Sequence, residues 1–250
     1  MSGYSLLSHL FLGRRRNVGA ELEAVTAWLR DGLSSRWSAL IIACGFVVLL
    51  SLSRALLMPP MSWDSLTYHL TFAAYWVQKG SLLKFIAPDQ IIENACLPIN
   101  GELFAAWLML PFHSDLLVNL MNFPLTLLGG IACYAMAREL GLARNEAAFA
   151  PALLCFAPVI YAQITTAYVD NAVFAFCAAA VLFALRYLRN GQSGDALLAL
   201  SAAGILIGIK YTCIPVTGLI LLAVAATRPA PSCTVARRCG MLCAGLLILF

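Results

Sequence analysis

Six side chains that could bind or activate a polar substrate are spread along this 250-residue sequence: Asp64, Tyr68, His69, Glu102, Asp170 and Lys210. Asp64 follows closely on a long apolar run and stands among aromatic residues, a residue type that settles at the head-group level of a membrane. A carboxylate in such a place is readily tuned as a base and meets both lipid-borne and water-borne molecules. The residues around Asp64 are therefore the predicted reactive edge of the protein.

Five of these six residues also have a purely structural interpretation. Asp64 and Asp170 each precede an apolar run, where an aspartate commonly caps the N-terminus of a helix. Glu102 could cap a helix in the same way, and His69 could be one polar residue on an amphipathic interfacial helix. Lys210 could extend its ammonium to the head groups, although it lies at a predicted helix break, where a cation could hold a phosphate. The sequence leaves these alternatives open.

Composition indicates which elements must position these side chains. The chain is 62% hydrophobic and only 11% charged, which is typical of a multi-spanning membrane protein and not of a soluble domain. We predict an all-α fold, a polytopic membrane helix bundle with interfacial helices in a large first extracytoplasmic loop at about residues 58–115. The cysteines are scattered, so we predict no metal site. The Lys and Arg residues form no basic patch, so we predict no nucleic-acid partner. No cofactor is predicted either.

The apolar runs predict the order of the membrane helices, since about 20 helical residues cross the hydrocarbon core. Single spans are predicted at residues 38–57, 116–137, 147–164 and 171–188. Residues 196–227 are too long for one span, and helix-breaking residues in the middle predict two short helices that meet around Lys210. A further apolar run begins near Gly240 and continues to Phe250, so we expect a chain that is truncated within a span.

Charge predicts the orientation of the protein in its membrane. Twelve of the 16 Lys and Arg residues fall on one side when residues 1–37 are cytoplasmic, and cytoplasmic loops carry the basic excess. We therefore expect a cytoplasmic N-terminal segment (1–37) and one transmembrane domain (38–250) in a plasma (inner) membrane. Asp64, Asp170 and Lys210 would then lie on the extracytoplasmic face, with helices at 65–78 and 103–112 lying at the interface.

Four sequence stretches in the same order resemble a known family. Trp63-Asp64-Ser65-Leu66-Thr67-Tyr68-His69-Leu70, followed by Trp76-Val77-Gln78, is similar to the first outer loop of family 39-like glycosyltransferases. These belong to the C-type (GT-C) integral-membrane superfamily, which includes protein mannosyltransferases and the aminoarabinose transferase of lipid A. Residues 98–103, 168–171 and 208–212 resemble later motifs of that family, whereas Cys96-Leu97-Pro98 departs from its usual Tyr-Pro-Pro.

The resemblance implies transfer of a sugar from a polyprenyl-phosphate donor to a hydroxyl of a glycan, lipid or protein acceptor at the outer face of a lipid bilayer. It implies inversion, with Asp64 as catalytic base, Asp170 as a second acidic group and Lys210 as a contact to the lipid phosphate. Tyr68, His69 and Glu102 are the remaining predicted substrate-binding residues. Two other functions stay open: a transporter or flippase for a lipid-linked or anionic substrate, and a non-catalytic assembly subunit.

Overall fold

The computed structural model describes Glu23, Thr26, Ala27, Arg30 and residues 37–82 and 97–226. Over these residues the secondary structure is helical and contains no strand, which confirms the predicted all-α membrane helix bundle. The predicted apolar run from Gly240 onward lies outside the described residues, as does most of the predicted segment 1–37.

The described α-helices are numbered here along the chain. They are α1 (Ser38–Leu57), α2 (Leu70–Lys79), α3 (Asn100–Met109), α4 (Asn122–Glu139), α5 (Arg144–Ala147), α6 (Phe149–Phe156), α7 (Pro158–Gln163), α8 (Asp170–Asn190), α9 (Ser193–Ile209) and α10 (Ile214–Ala226). A π-helical turn, Ser65–His69, leads into α2. Short 3₁₀ turns at Val118–Leu120 and Tyr211–Cys213 lead into α4 and α10.

Three of the predicted spans are confirmed. Within the described part of the chain, Ser38–Leu57, Val118–Glu139 and Asp170–Asn190 are each long and apolar enough to cross a membrane. They coincide with the predictions at 38–57, 116–137 and 171–188 to within two residues, because an uninterrupted apolar run of this length has few other stable conformations.

The predicted span at residues 147–164 is wrong as a single helix. α6 ends at Phe156, and Ala157 has extended backbone angles of φ −70° and ψ 116°. Pro158 causes this break, since a proline ring disfavours helical angles in the residue before it. Pro158 then occupies the first turn of α7, where its missing N–H is not needed.

The predicted pair of short helices around Lys210 is confirmed. α9 ends at Ile209, and Lys210 itself is extended, with φ −152° and ψ 117°. The turn Tyr211–Cys213 then starts α10. Alanines of α9 pack against alanines of α8, including Ala180, Ala199 and Ala203, and such small side chains let two helices approach closely.

The chain divides into two compact units, residues 1–46 and 47–250, and all six predicted site residues lie in the second. In this unit a buried cluster joins α2, α3, the start of α8 and Ile209. Phe72 and Trp76 are two of the aromatic residues that follow Asp64, a residue type expected at the head-group level, but both belong to this cluster and are buried against protein. Trp63, by contrast, is 77% exposed. The cluster therefore packs the predicted loop helices, α2 and α3, onto the membrane helices.

Candidate active site

Asp64 stands immediately before the π-helical turn. The backbone of Asp64 is helical, and its side chain makes no capping hydrogen bond, so the alternative that Asp64 is a helix cap is wrong. Its half-buried carboxylate has no hydrogen-bond or ion-pair partner within the described ranges 37–82 and 97–226. The turn that follows is of a type that often occurs at functional sites. As far as the described residues show, the Asp64 carboxylate can thus accept a hydrogen bond from a bound molecule.

Tyr68, in the middle of the π-helical turn, is the common neighbour of the acidic side chains. Burial, followed by the negative charges of Asp64, Glu102 and Asp170, raises the pKa of the Tyr68 phenol from 10.0 to about 12. The phenol therefore stays protonated near neutral pH and can donate a hydrogen bond. The charges of all three carboxylates act on this one phenol, which indicates that these groups lie in its neighbourhood.

His69 and Glu102 form a buried pair. His69 Nδ1 lies 2.7 Å from Glu102 Oε1, and both side chains are almost completely shielded from solvent. When Glu102 is ionised it can only accept, so the proton of this bond lies on Nδ1. The second carboxylate oxygen, Oε2, is also buried and has no hydrogen-bond partner among the residues that the structure describes. The pair joins the π-helical turn to the first turn of α3.

Asp170 and Lys210 form a second pair, which is half exposed. Lys210 Nζ donates to Asp170 Oδ1 over 2.7 Å, and the two side chains are 41% and 39% exposed. Asp170 is the first residue of α8, whose N-cap position is Val169. Because exposed ion pairs contribute about 0–1 kcal/mol, this pair adds little to stability. Among the described residues only one of the three N–H donors of the Lys210 ammonium is used, so the other two can bind an anionic ligand.

The segment between α7 and α8 is fastened by two polar side chains. The N–H of Ala167 donates to Ser65 Oγ over 3.1 Å, which ties this segment to the π-helical turn. The side-chain nitrogen of Asn122, on α4, lies 2.9 to 3.0 Å from the carbonyl oxygens of Gln163, Thr166 and Tyr168. Together these contacts fix the chain that leads into Asp170.

Two glycines allow the remaining segments to meet. A Cβ atom on Gly101, in α3, would overlap Val169 Cγ1, next to Asp170. A Cβ atom on Gly208, in α9, would overlap the side-chain amide of Asn100. The first turn of α3 therefore lies directly against the residues that precede Asp170 and Lys210.

All six residues singled out from the sequence thus belong to one region of the second unit. Five residues that hold this region together were not among the site residues predicted from the sequence: Ser65, Asn100, Gly101, Asn122 and Gly208. A signal was present for Asn122, because an amide inside a predicted span usually has a packing partner. The two glycines gave a weaker signal, since each stands within two residues of a predicted site residue.

The arrangement offers a carboxylate that has no partner among the described residues, a neutral phenol and an ammonium group. Such a set can take a proton from a hydroxyl and stabilise an anionic leaving group. Within the described residues, His, Cys, Asp and Glu side chains do not gather in the groups of three that would hold a metal ion.

Comparison with known proteins assigns the family. Residues 102–250, well over half of the chain, match the family model described as dolichyl-phosphate-mannose-protein mannosyltransferase. The matched region includes Glu102, Asp170 and Lys210, and the Asp64 stretch precedes it. No curated protein and no solved structure matches the chain. The chain therefore belongs to the dolichyl-phosphate-mannose-protein mannosyltransferase family, the GT-C-type membrane glycosyltransferases that use polyprenyl-phosphate sugar donors.

Proposed function

We propose that the protein transfers a sugar from a polyprenyl-phosphate donor to an acceptor hydroxyl with inversion at the anomeric carbon, and that Asp64 is the base. The acceptor is a hydroxyl of a glycan, lipid or protein. The site faces the extracytoplasmic side of a plasma (inner) membrane, and the N-terminus is cytoplasmic. The family supports the coarser part of this proposal, since its members are enzymes and not transporters.

The reaction is a single displacement. A carboxylate oxygen of Asp64 takes the proton of the acceptor hydroxyl as that oxygen forms its bond to the anomeric carbon. The bond from that carbon to the phosphate oxygen breaks, and its electron pair leaves with the polyprenyl phosphate. The Lys210 ammonium stabilises the negative charge that grows on the phosphate. Since nucleophile and leaving group lie on opposite faces of the sugar, the configuration inverts.

The main support for this proposal is that several charged side chains lie near Tyr68. The carboxylates of Asp64, Glu102 and Asp170 all raise the pKa of one phenol, and Asp170 binds Lys210 directly. A base and a phosphate-binding cation thus belong to one region although they are far apart in sequence. Tyr68, His69 and Glu102 belong to this region and are the proposed contacts to sugar or acceptor hydroxyls.

We propose two roles for Asp170: it contacts hydroxyl groups of the sugar or the acceptor, and it positions Lys210. Its Oδ1 accepts from Lys210, which restrains a long and flexible side chain. An ammonium held in place costs less entropy when the phosphate binds than one that must be ordered at that moment. Asp170 therefore contributes to the reaction partly through Lys210.

The test is sugar transfer by the full-length protein carrying Asp64→Asn. The purified protein is incubated with radiolabelled polyprenyl-phosphate sugars, with a membrane fraction as acceptor. We expect turnover to fall by about 10²- to 10⁴-fold, the usual contribution of a general base. Asp115→Asn is the matched control, since Asp115 is an exposed aspartate of the same chain outside this region.

Equal turnover of the wild type and Asp64→Asn would remove Asp64 from the role of base. Transfer with retained anomeric configuration, read by NMR of the product, would contradict the single displacement.

A further inference from the structure

Three consecutive residues in the first turn of α3 each contact a different part of the candidate site. Asn100 lies against Gly208, two residues before Lys210. Gly101 lies against Val169, next to Asp170. Glu102 binds His69 in the π-helical turn that begins after Asp64.

We propose that Asn100, Gly101 and Glu102 are positioning residues that set the geometry of the base and of the phosphate-binding pair relative to each other. This inference rests on the proposed function for the chemical roles of Asp64 and Lys210. Neither Asn100 nor Gly101 needs to touch substrate. They act by determining how closely α3 approaches the start of α8 and the end of α9, and hence where Asp170 and Lys210 lie.

The contact between Gly101 and Val169 is the most sensitive of the three. A Cβ atom on Gly101 would overlap Val169 Cγ1 and lie 3.1 Å from Val169 Cβ. A valine side chain is stiff about χ1, so it cannot rotate away freely. Val169 is also buried in the core cluster. The added methyl group must therefore move the backbone at Val169, and Asp170 moves with it.

The contact between Gly208 and Asn100 is more tolerant. The atoms that a Cβ on Gly208 would meet are the outer atoms of the Asn100 amide. That side chain can turn to another rotamer at small cost. Gly208→Ala should thus impair transfer less than Gly101→Ala does.

The experiment compares four variants of the full-length protein: Gly101→Ala, Val169→Ala, the double variant, and Gly218→Ala. Gly218 is the matched control, a helical glycine of α10 with open space where a Cβ would stand. Turnover and the KM for the polyprenyl-phosphate sugar are measured for each variant. The reaction of Lys210 with an amine reagent is followed by mass spectrometry, with exposed Lys79 as internal reference.

Gly101→Ala should lower turnover by about a hundredfold, the effect of a misplacement of about 1 Å at a reacting centre. The double variant should return to the turnover of Val169→Ala alone, because removal of Cγ1 makes room for the new methyl group. Gly218→Ala should match the wild type. Lys210 should react faster in Gly101→Ala than in the wild type, since displaced Asp170 no longer covers its ammonium, and the double variant should reverse this change.

The proposal is overturned if Gly101→Ala transfers sugar at the wild-type rate, or if the double variant is no better than Gly101→Ala. Failure of the proposed function has a different signature, namely a wild-type protein that transfers no sugar. In that case the reaction of Lys210 with the amine reagent still tests whether Gly101 positions Asp170 and Lys210, because this reaction does not depend on sugar transfer.

Discussion

Tyr68 lies among the acidic groups of the candidate site and remains neutral there. Burial raises the pKa of its phenol, and the charges of Asp64, Glu102 and Asp170 raise it further, to about 12. Because the same carboxylates that would bind substrate also keep the phenol protonated, Tyr68 can donate a hydrogen bond to a sugar oxygen at any pH at which the enzyme works.

Tyr68→Phe tests this environment through a pH titration. In the wild type, absorbance of tyrosinate should include a component that titrates near 12, and Tyr68→Phe should lack that component. The folded protein binds this proton more tightly than the unfolded chain, whose tyrosine titrates near 10. The stability contributed by the protonated phenol is therefore complete below pH 10 and is lost as the pH rises towards 12.

Unfolding measured between pH 9 and 12 provides the second readout for Tyr68. The wild type should lose stability more steeply over this range than Tyr68→Phe does. Parallel curves would contradict a raised pKa for this phenol.

Lys210→Ala tests the phosphate contact. Loss of one fixed cation at a developing negative charge should slow transfer by about a hundredfold or more. Asp170→Asn should have a smaller effect, since the ammonium is still present but is less restrained. Lys79→Ala is the control, because Lys79 is an exposed lysine at the end of α2. An unchanged dependence of rate on donor concentration in Lys210→Ala would exclude a contact between Lys210 and the donor phosphate.

At the scale of single residues, the sequence indicated which side chains belong to the candidate site but not which of them bind each other. His69 and Glu102 were each predicted as substrate contacts, yet a 2.7 Å bond joins them across 33 positions. No local pattern reports such a contact, because it depends on how α2 and α3 pack. The cap interpretation of Asp64 and Asp170 was equally local. The observed backbone and the missing cap bond exclude it for Asp64. Asp170 follows the N-cap position, which is Val169, and its carboxylate pairs with Lys210.

At the scale of elements, the interface between α4 and α8 depends on close approach at Gly129. A Cβ atom there would overlap the ring of Phe174, whereas a Cβ on the neighbouring Gly130 would stand 3.4 Å from Pro151 Cβ, an ordinary contact. The two adjacent glycines thus provide a variant and its matched control.

Gly129→Ala should lower the free energy of unfolding by about 1–3 kcal/mol, the usual cost of extra volume in a packed interior. Gly130→Ala should be close to neutral. Thermal unfolding of the purified variants in the same detergent measures both. A Gly129→Ala protein as stable as Gly130→Ala would mean that α4 and α8 are further apart than described.

The helices also show which spans and which breaks hydropathy can predict and which it cannot. α1, α4 and α8 follow from the length of their apolar runs, and the break at Lys210 follows from the glycines, the lysine and the proline around it. The break at Ala157 was missed because the run is apolar on both sides of it. Pro158 acts on backbone angles, which hydropathy does not measure.

At the scale of the whole molecule, orientation in the membrane remains a prediction from basic residues. Two exposed glutamines test it: Gln78, near the end of α2, and Gln192, between α8 and α9. In intact cells, a membrane-impermeant maleimide should label Gln78→Cys, and it should label Gln192→Cys only after permeabilisation. The host protein for both variants carries serine in place of its native cysteines. The reverse labelling pattern would place the candidate site on the cytoplasmic face.

The helix that ends just before Lys210 is short for a membrane span. α9 has 17 residues, so it is about 25 Å long, less than the roughly 30 Å of a bilayer interior. Hydrophobic mismatch of this kind is relieved when acyl chains compress next to the short helix. If Lys210 binds the donor phosphate as proposed, local thinning would bring the anchored end of a long isoprenoid closer to the lysine, and membrane thickness would then influence how readily the donor is captured.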